Sequence, residues 1–266
     1  MFKTRLISGI VLVAAALVLI ITGGEVLLAA SCVISLIGMY ELYRVYQIAR
    51  TAAAFAGYVA AVLFYLDLYV GWIPERMMFV IGFLIVLLAV YVLSYPKYHA
   101  SQITAVFFGV FYVAVMLSCI FQTRMMEKGA YLVWLIFLCS WGCDTCAYCV
   151  GVKFGKHKMS PVLSPKKSIE GAAGGLAGTF LLTALYAYVF RTQMGISTAQ
   201  ILILAAISTV GGLISMIGDL AASAIKRNYE IKDYGTLIPG HGGILDRFDS
   251  VIFTAPVIFY LAEYLL

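Results

Sequence analysis

Charge is what this chain has least of. Asp, Glu, Lys and Arg make up 12% of its 266 residues, against about a quarter in an average soluble domain. That scarcity excludes a soluble globular protein, and with no soluble domain left to carry a basic face it excludes nucleic acid as a partner. Proline is also sparse, with six in all. No Pro- or Ser-rich linker divides the chain, and no internal repeat is visible. No Ser-His-Asp or Cys-His arrangement stands ready to supply a covalent nucleophile. The six cysteines, Cys32, Cys119, Cys139, Cys143, Cys146 and Cys149, fall in apolar runs without paired Cys-x-x-Cys loop segments, so they read as small packing residues and not as a thiolate metal site.

What is present is apolar sequence, 63% of the chain. A spanning helix needs about 20 mainly apolar residues, because inside a bilayer every backbone polar group must be satisfied within the segment. Nine segments meet that need, at 5–23, 26–43, 52–72, 77–95, 102–121, 130–150, 172–190, 200–224 and 246–265. The first follows Lys3 and Arg5 but is too long for a signal-peptide core and lacks a small-residue cleavage site, so it is expected to remain as a helix. Counting Lys and Arg by side, 14 of 18 fall with the N-terminus and four opposite. The positive-inside rule then predicts an all-α polytopic membrane protein with a cytoplasmic N-terminus and its C-terminus on the other side. The net charge of +5 gathers on one face, where it suits anionic headgroups or a polyphosphate.

Residues 1–128 read as a five-helix scaffold with nothing assignable to chemistry. Glu41 is its one conspicuous acid, expected to snorkel or to pair with Arg44. Residues 129–266 are different, because polar residues there fall into three groups. Asp144 lies in the sixth apolar segment, followed by a basic loop that contains Lys167; an ionisable group among apolar residues is costly enough to mark function. Ser215, Asp219, Ser223 and Lys226 are spaced four, four and three apart, forming one polar stripe that must face protein or water. The third group is Lys232–Asp249, where two basic and three acidic side chains, a histidine and four glycines share eighteen residues. Its Ile238–Gly243 turn leads straight into the ninth segment, and backbone N–H groups at a helix start can hold an anion. Asp246 and Asp249 follow on one face of the first turn.

Asp144 lies seven residues before Gly151 and Asp219 seven before Lys226, so both sit about 10 Å inside their helix ends. Carboxylates at matching depth repel unless a cation joins them, and oxygen ligands select a hard metal such as Mg²⁺. Acids for Mg²⁺, bases around them and a glycine turn are the parts of phosphoryl or nucleotidyl transfer. A secondary transporter with buried aspartate relays is the rival from another class. Charges gathered toward one surface, beside basic loops, favour an enzyme.

The run Ser223-x-Ile225-Lys226-Arg227, Lys232-Asp233, Gly235 and Ile238-Pro239-Gly240-His241-Gly242-Gly243-Ile244-x-Asp246-Arg247-Phe248-Asp249 resembles the signature of phosphatidate cytidylyltransferases, also called CDP-diacylglycerol synthases. Upstream, Asp144-Thr145, Ala147-Tyr148, Gly155-Lys156, Ser164-Pro165-x-Lys167 and Glu170-Gly171 are similar to the same pattern. Ser168, Ile169 and Tyr234 depart from it without removing a charge. The resemblance covers most of 141–250 and implies that CTP and phosphatidic acid give CDP-diacylglycerol and pyrophosphate, with Mg²⁺, in a multi-pass cytoplasmic membrane enzyme. It implies metal binding by Asp219, Asp246 and Asp249, with Asp144 as a further ligand or a partner of one. Lys226, Arg227, Lys232 and Arg247 would hold phosphates, and Lys167 would close over CTP or pyrophosphate. Asp219, Asp246, Lys226 and Arg247 are the expected catalytic set, and Ser223, His241, Gly242 and Gly243 the expected substrate contacts. A CTP-dependent kinase of a polyprenol or dolichol is the nearer rival. A second cation and a homodimer both remain open.

Overall fold

A computed structural model describes the backbone of residues 2–265 and the side chains of 7–264. The flanking charges Lys3 and Arg5, used above for orientation, have side chains outside that range. Among the described residues, nine long helices follow the nine apolar segments in order: α1 (Phe2–Thr22), α2 (Gly24–Val45), α3 (Ala52–Val70), α4 (Arg76–Leu93), α5 (Ala100–Met125), α6 (Gly129–Phe154), α7 (Ile169–Val189), α8 (Thr198–Asn228) and α9 (Leu245–Leu265). Seven of them, α2 to α8, are long and apolar enough to cross a membrane. The molecule is therefore an all-α, multi-pass membrane protein.

Short polar residues set the helix starts. Thr51 accepts the Ala54 amide at the head of α3. Ser197 and Gln200 form a reciprocal capping box at the head of α8, satisfying donors that the helix itself leaves open. Both α5 and α6 are locally underwound into a wider π turn, at Val110–Val115 and Leu138–Gly142. The second of these ends at Gly142, two residues before Asp144, and such insertions shift helical phase where function needs it.

Between α6 and α7, where the sequence reads as a basic loop, the structure has a two-stranded antiparallel hairpin, β1 (Lys158–Ser160) and β2 (Ser164–Ser168). Ser168 caps α7 by accepting the Gly171 amide at 3.1 Å. Glu170 accepts the backbone amides of Lys156 and His157 and meets the His157 ring at 2.5 Å. The hairpin is thus tied to the first turn of α7 at both ends.

The core is centred on α9, which touches α2, α5, α6 and α8. Val251, Ile252 and Ala255 on it are fully buried. A second focus is Tyr43 of α2, whose ring fits against Gly57 and Gly109 and whose hydroxyl donates to the Val106 carbonyl at 2.7 Å. Cys139 and Cys143 pack against Gly211 and Gly212 of α8, the packing role expected of them.

Candidate active site

The site forms where α6, α8 and α9 converge at the glycine-rich loop. Close approach of α8 to α9 is possible because Gly218 has no side chain: a Cβ there would lie 2.6 Å from the Phe253 ring and 2.9 Å from the Asp249 carbonyl oxygen. That contact sets Asp219, the next residue, beside Asp249. Trp141 joins α6 to α9, donating its indole N–H to the Arg247 carbonyl at 3.3 Å and packing edge-on against Phe248. As a result, carboxylates from three helices come within electrostatic range of one another: Asp249 with Asp219 and Asp144, and Asp144 with Asp219.

Two lysines enter this acidic cluster. Lys167, at the end of β2, makes an ion pair with Asp219, and both are about three-quarters buried. Lys226 of the polar stripe donates to Asp246 Oδ1 at 2.9 Å. Asp246 Oδ2 accepts the amides of Tyr234 at 2.8 Å and Gly243 at 2.9 Å. Three of the roughly four acceptor positions of that carboxylate are thereby filled. Asp246 thus ties the loop to α8 and keeps one free acceptor position, on Oδ1. Asp249 accepts the Ser250 amide at 2.8 Å through Oδ1.

The loop itself is a tight turn. The Ile238 amide donates to the Gly242 carbonyl at 2.8 Å and the His241 amide to the Ile238 carbonyl at 2.9 Å. Gly242 sits at φ +88°, a conformation that side chains with a Cβ resist. The sequence reading expects the amides at the head of α9 to receive a substrate anion. In the structure the protein supplies the anions: Asp246 takes the Gly243 amide, and Glu41 takes those of Ile244 at 3.1 Å and Leu245 at 2.8 Å.

Glu41 is therefore a site residue that sequence reasoning missed. It neither snorkels nor pairs locally, being 4% exposed and lying against Gly235 and Gly243. Arg44, one helical turn on, donates to the Tyr234 carbonyl at 2.8 Å. The only advance signal was an acid within an apolar run.

Two cavities flank the acidic cluster and share Asp144. One, of about 520 Å³, lies between the hairpin, α6, α7 and α8 and is lined by Lys158, Lys166, Lys167, Tyr148 and Asp219. The other, of about 270 Å³, lies between α1 and α9 and is lined by His241, Arg247, Asp246, Asp249 and apolar residues of α1. The structure does not bring every expected residue to these spaces. Arg227 is exposed and donates to the Ile231 carbonyl at 3.2 Å; Lys232 is exposed on the loop and Ser223 half-buried on α8, and neither cavity is lined by any of the three.

Among the described residues no three His, Cys, Asp or Glu side chains form a closed metal-ligand group. Hard oxygen donors are present, as Mg²⁺ requires. They border the cavities and do not converge on a finished shell, and Lys167 and Lys226 now supply positive charge to two of them.

Comparison with known proteins agrees with this architecture. A family model described as "Cytidylyltransferase family" matches residues 3–265. The chain is 32% identical to a phosphatidate cytidylyltransferase of Thermotoga maritima over 261 residues, covering 96% of this chain and 94% of the relative. It is 30% identical to that of Staphylococcus aureus strain COL over 259 residues, covering 96% and 97%, and 31% identical to that of Staphylococcus saprophyticus over 261 residues, covering 96% and 97%. The aspartates of α6, α8 and α9, the loop that orders them and a match over nearly the whole length lead to one statement: this chain belongs to the cytidylyltransferase family.

Proposed function

We propose that this protein condenses CTP with phosphatidate to give CDP-diacylglycerol and pyrophosphate. The observation that carries the reading is the common wall, at Asp144, between a lysine-lined cavity of nucleotide size and a second cavity with an apolar side. A pocket of about 300–1,000 Å³ is the usual range for a small-molecule site, and the 520 Å³ space falls within it. An ionised phosphate oxygen of phosphatidate attacks the α-phosphorus of CTP; the new P–O bond forms as the bond to the β-phosphate breaks, and pyrophosphate leaves. That nucleophile is already an anion near neutral pH, so a strong general base is unnecessary. The barrier lies in bringing two anions together, and fixed cations lower it.

Lys167 and Lys166 from β2 hold the triphosphate, and Arg247 faces the attacking phosphate from α9. Lys226, fixed by Asp246, places a further positive charge beside Asp249. Mg²⁺ would be held by Asp219 and Asp249, with Asp144 and the free position on Asp246 Oδ1 completing the donors, and would supply charge neutralisation to the phosphates. For Asp219 to serve, Lys167 must leave it, and a bound triphosphate is the natural acceptor for that ammonium. All nine helices span the cytoplasmic membrane, N-terminus inside, with the site at the inner surface where headgroups and CTP meet.

The test is release of pyrophosphate in detergent from CTP and dioleoyl phosphatidic acid. Release should need Mg²⁺, stop with EDTA and fall at least about 100-fold in Asp219→Asn, the scale on which a lost charge-stabilising group acts, with membrane insertion retained. CTP labelled at the α-phosphate should transfer label to lipid. Transfer of γ-label with release of CDP would instead make this a lipid kinase, and gradient-driven uptake without pyrophosphate would make it a transporter.

A further inference from the structure

We propose that the crevice between α1 and α9 is the lipid subsite, holding the phosphate of the phospholipid substrate at His241 and Arg247 and its acyl chains along α1. The inference rests on the function proposed above and assigns one of its two substrates a place. Two independent observations carry it. Leu12, Ala16 and Leu19 line the crevice and are spaced four and three apart, so they form one apolar face of α1. Val13, at the crevice margin, is 48% exposed, so the space opens sideways through the apolar surface of the helix and is reached from the bilayer.

The other end of the same crevice is polar, with His241 and Arg247 beside Asp144, Asp246 and Asp249, the carboxylates proposed above to hold Mg²⁺, and it offers an anion two nitrogens. His241 Nδ1 and Arg247 Nε are both buried without a hydrogen-bond partner, and both residues line this space. Buried polar nitrogens without partners are rare, and each calls for an explanation such as a ligand. A phosphate monoester offers acceptors to both, and the guanidinium matches its geometry. Free phosphate would use the polar end alone and leave the apolar wall without purpose. At the loop, α1 is held in place: Ser8 Oγ donates to the Pro239 carbonyl at 2.8 Å, and Gly9 lies against the His241 ring. At its far end α1 is pinned by Arg124, whose Nε donates to the Ile20 carbonyl at 2.9 Å. Held at both ends, α1 walls the crevice along its length.

The experiment is photolabelling of the full-length protein in detergent by phosphatidic acid carrying a diazirine on one acyl chain, followed by peptide mapping. Label should enter residues 9–19, and unlabelled phosphatidic acid should compete it away. Inorganic phosphate and diacylglycerol should not compete, since each lacks half of what the site recognises. In parallel, Ala16→Trp should raise the KM for phosphatidic acid about tenfold with the KM for CTP unchanged within twofold. Label confined to other helices would overturn the assignment, as would equal competition by diacylglycerol or a tryptophan effect on CTP alone. The labelling needs no turnover, so a crevice that takes up phosphatidic acid in a protein making no CDP-lipid would refute the function and leave the subsite standing.

Discussion

Each carboxylate in the site has a different set of neighbours, and those neighbours decide its work. Asp246 is held by a lysine and two backbone amides, Asp249 by one amide, and Asp219 by Lys167. Glu41 belongs with Asp246 as a residue that shapes the loop. Glu41→Gln places an amide NH₂ where a second acceptor is needed, leaving a backbone N–H of α9 buried and unpaired. That should cost about 1–3 kcal/mol, read as a lower melting temperature in detergent, and reduce kcat; Glu41→Asp should restore part of both. Unchanged stability and turnover in Glu41→Gln would show that the contact is dispensable. The aspartates were legible in the sequence because a charge within an apolar run has no cheap explanation. Glu41 meets the same criterion, but Arg44, three residues away, offers it a local partner in the sequence. In the fold that guanidinium serves Tyr234 instead, across 190 residues of sequence.

Helices and their junctions explain how these side chains meet. The polar stripe of α8 was readable as a stripe because helical spacing is local. Its direction was not, since rotation about the helix axis is settled by contacts such as Gly218 against Phe253. Gly218→Val would force α8 away from α9, and overpacking of this kind costs about 1–3 kcal/mol. Activity should fall more than tenfold while membrane insertion persists, and adding Phe253→Ala should recover part of it by making room. If the single variant keeps full activity, Asp219 is not placed by this contact. The hairpin escaped sequence reading for a related reason. Lys158–Ser168 has no apolar alternation, and its strands are held by each other and by Glu170, a partner invisible in a local pattern.

Across the whole molecule, the five-helix N-terminal portion does more than surround the site. Its second helix caps the head of α9 through Glu41, and its first walls the proposed lipid crevice. The proposed orientation has a direct check. In a Cys149→Ser background, a cysteine placed at Lys166 should react with a membrane-impermeant maleimide only in inside-out vesicles, and one placed at Thr192 only in right-side-out vesicles. The reverse pattern would put the site on the outer face and separate it from cytosolic CTP.

What the amino-acid order determined alone is the helical, membrane-embedded character of the chain, the position of each long helix to within a few residues, and the residues too polar for their surroundings. These follow from local rules: apolar length, helical periodicity and the cost of charge in hydrocarbon. Only the tertiary structure decided that the amides at the start of α9 are held by Glu41 and Asp246. It alone turned the basic loop into a hairpin aimed at Asp219, and it alone left two cavities joined at Asp144. Those outcomes depend on which distant donors and acceptors the packing brings together, and a buried carboxylate takes the donors placed beside it, whatever their distance along the chain.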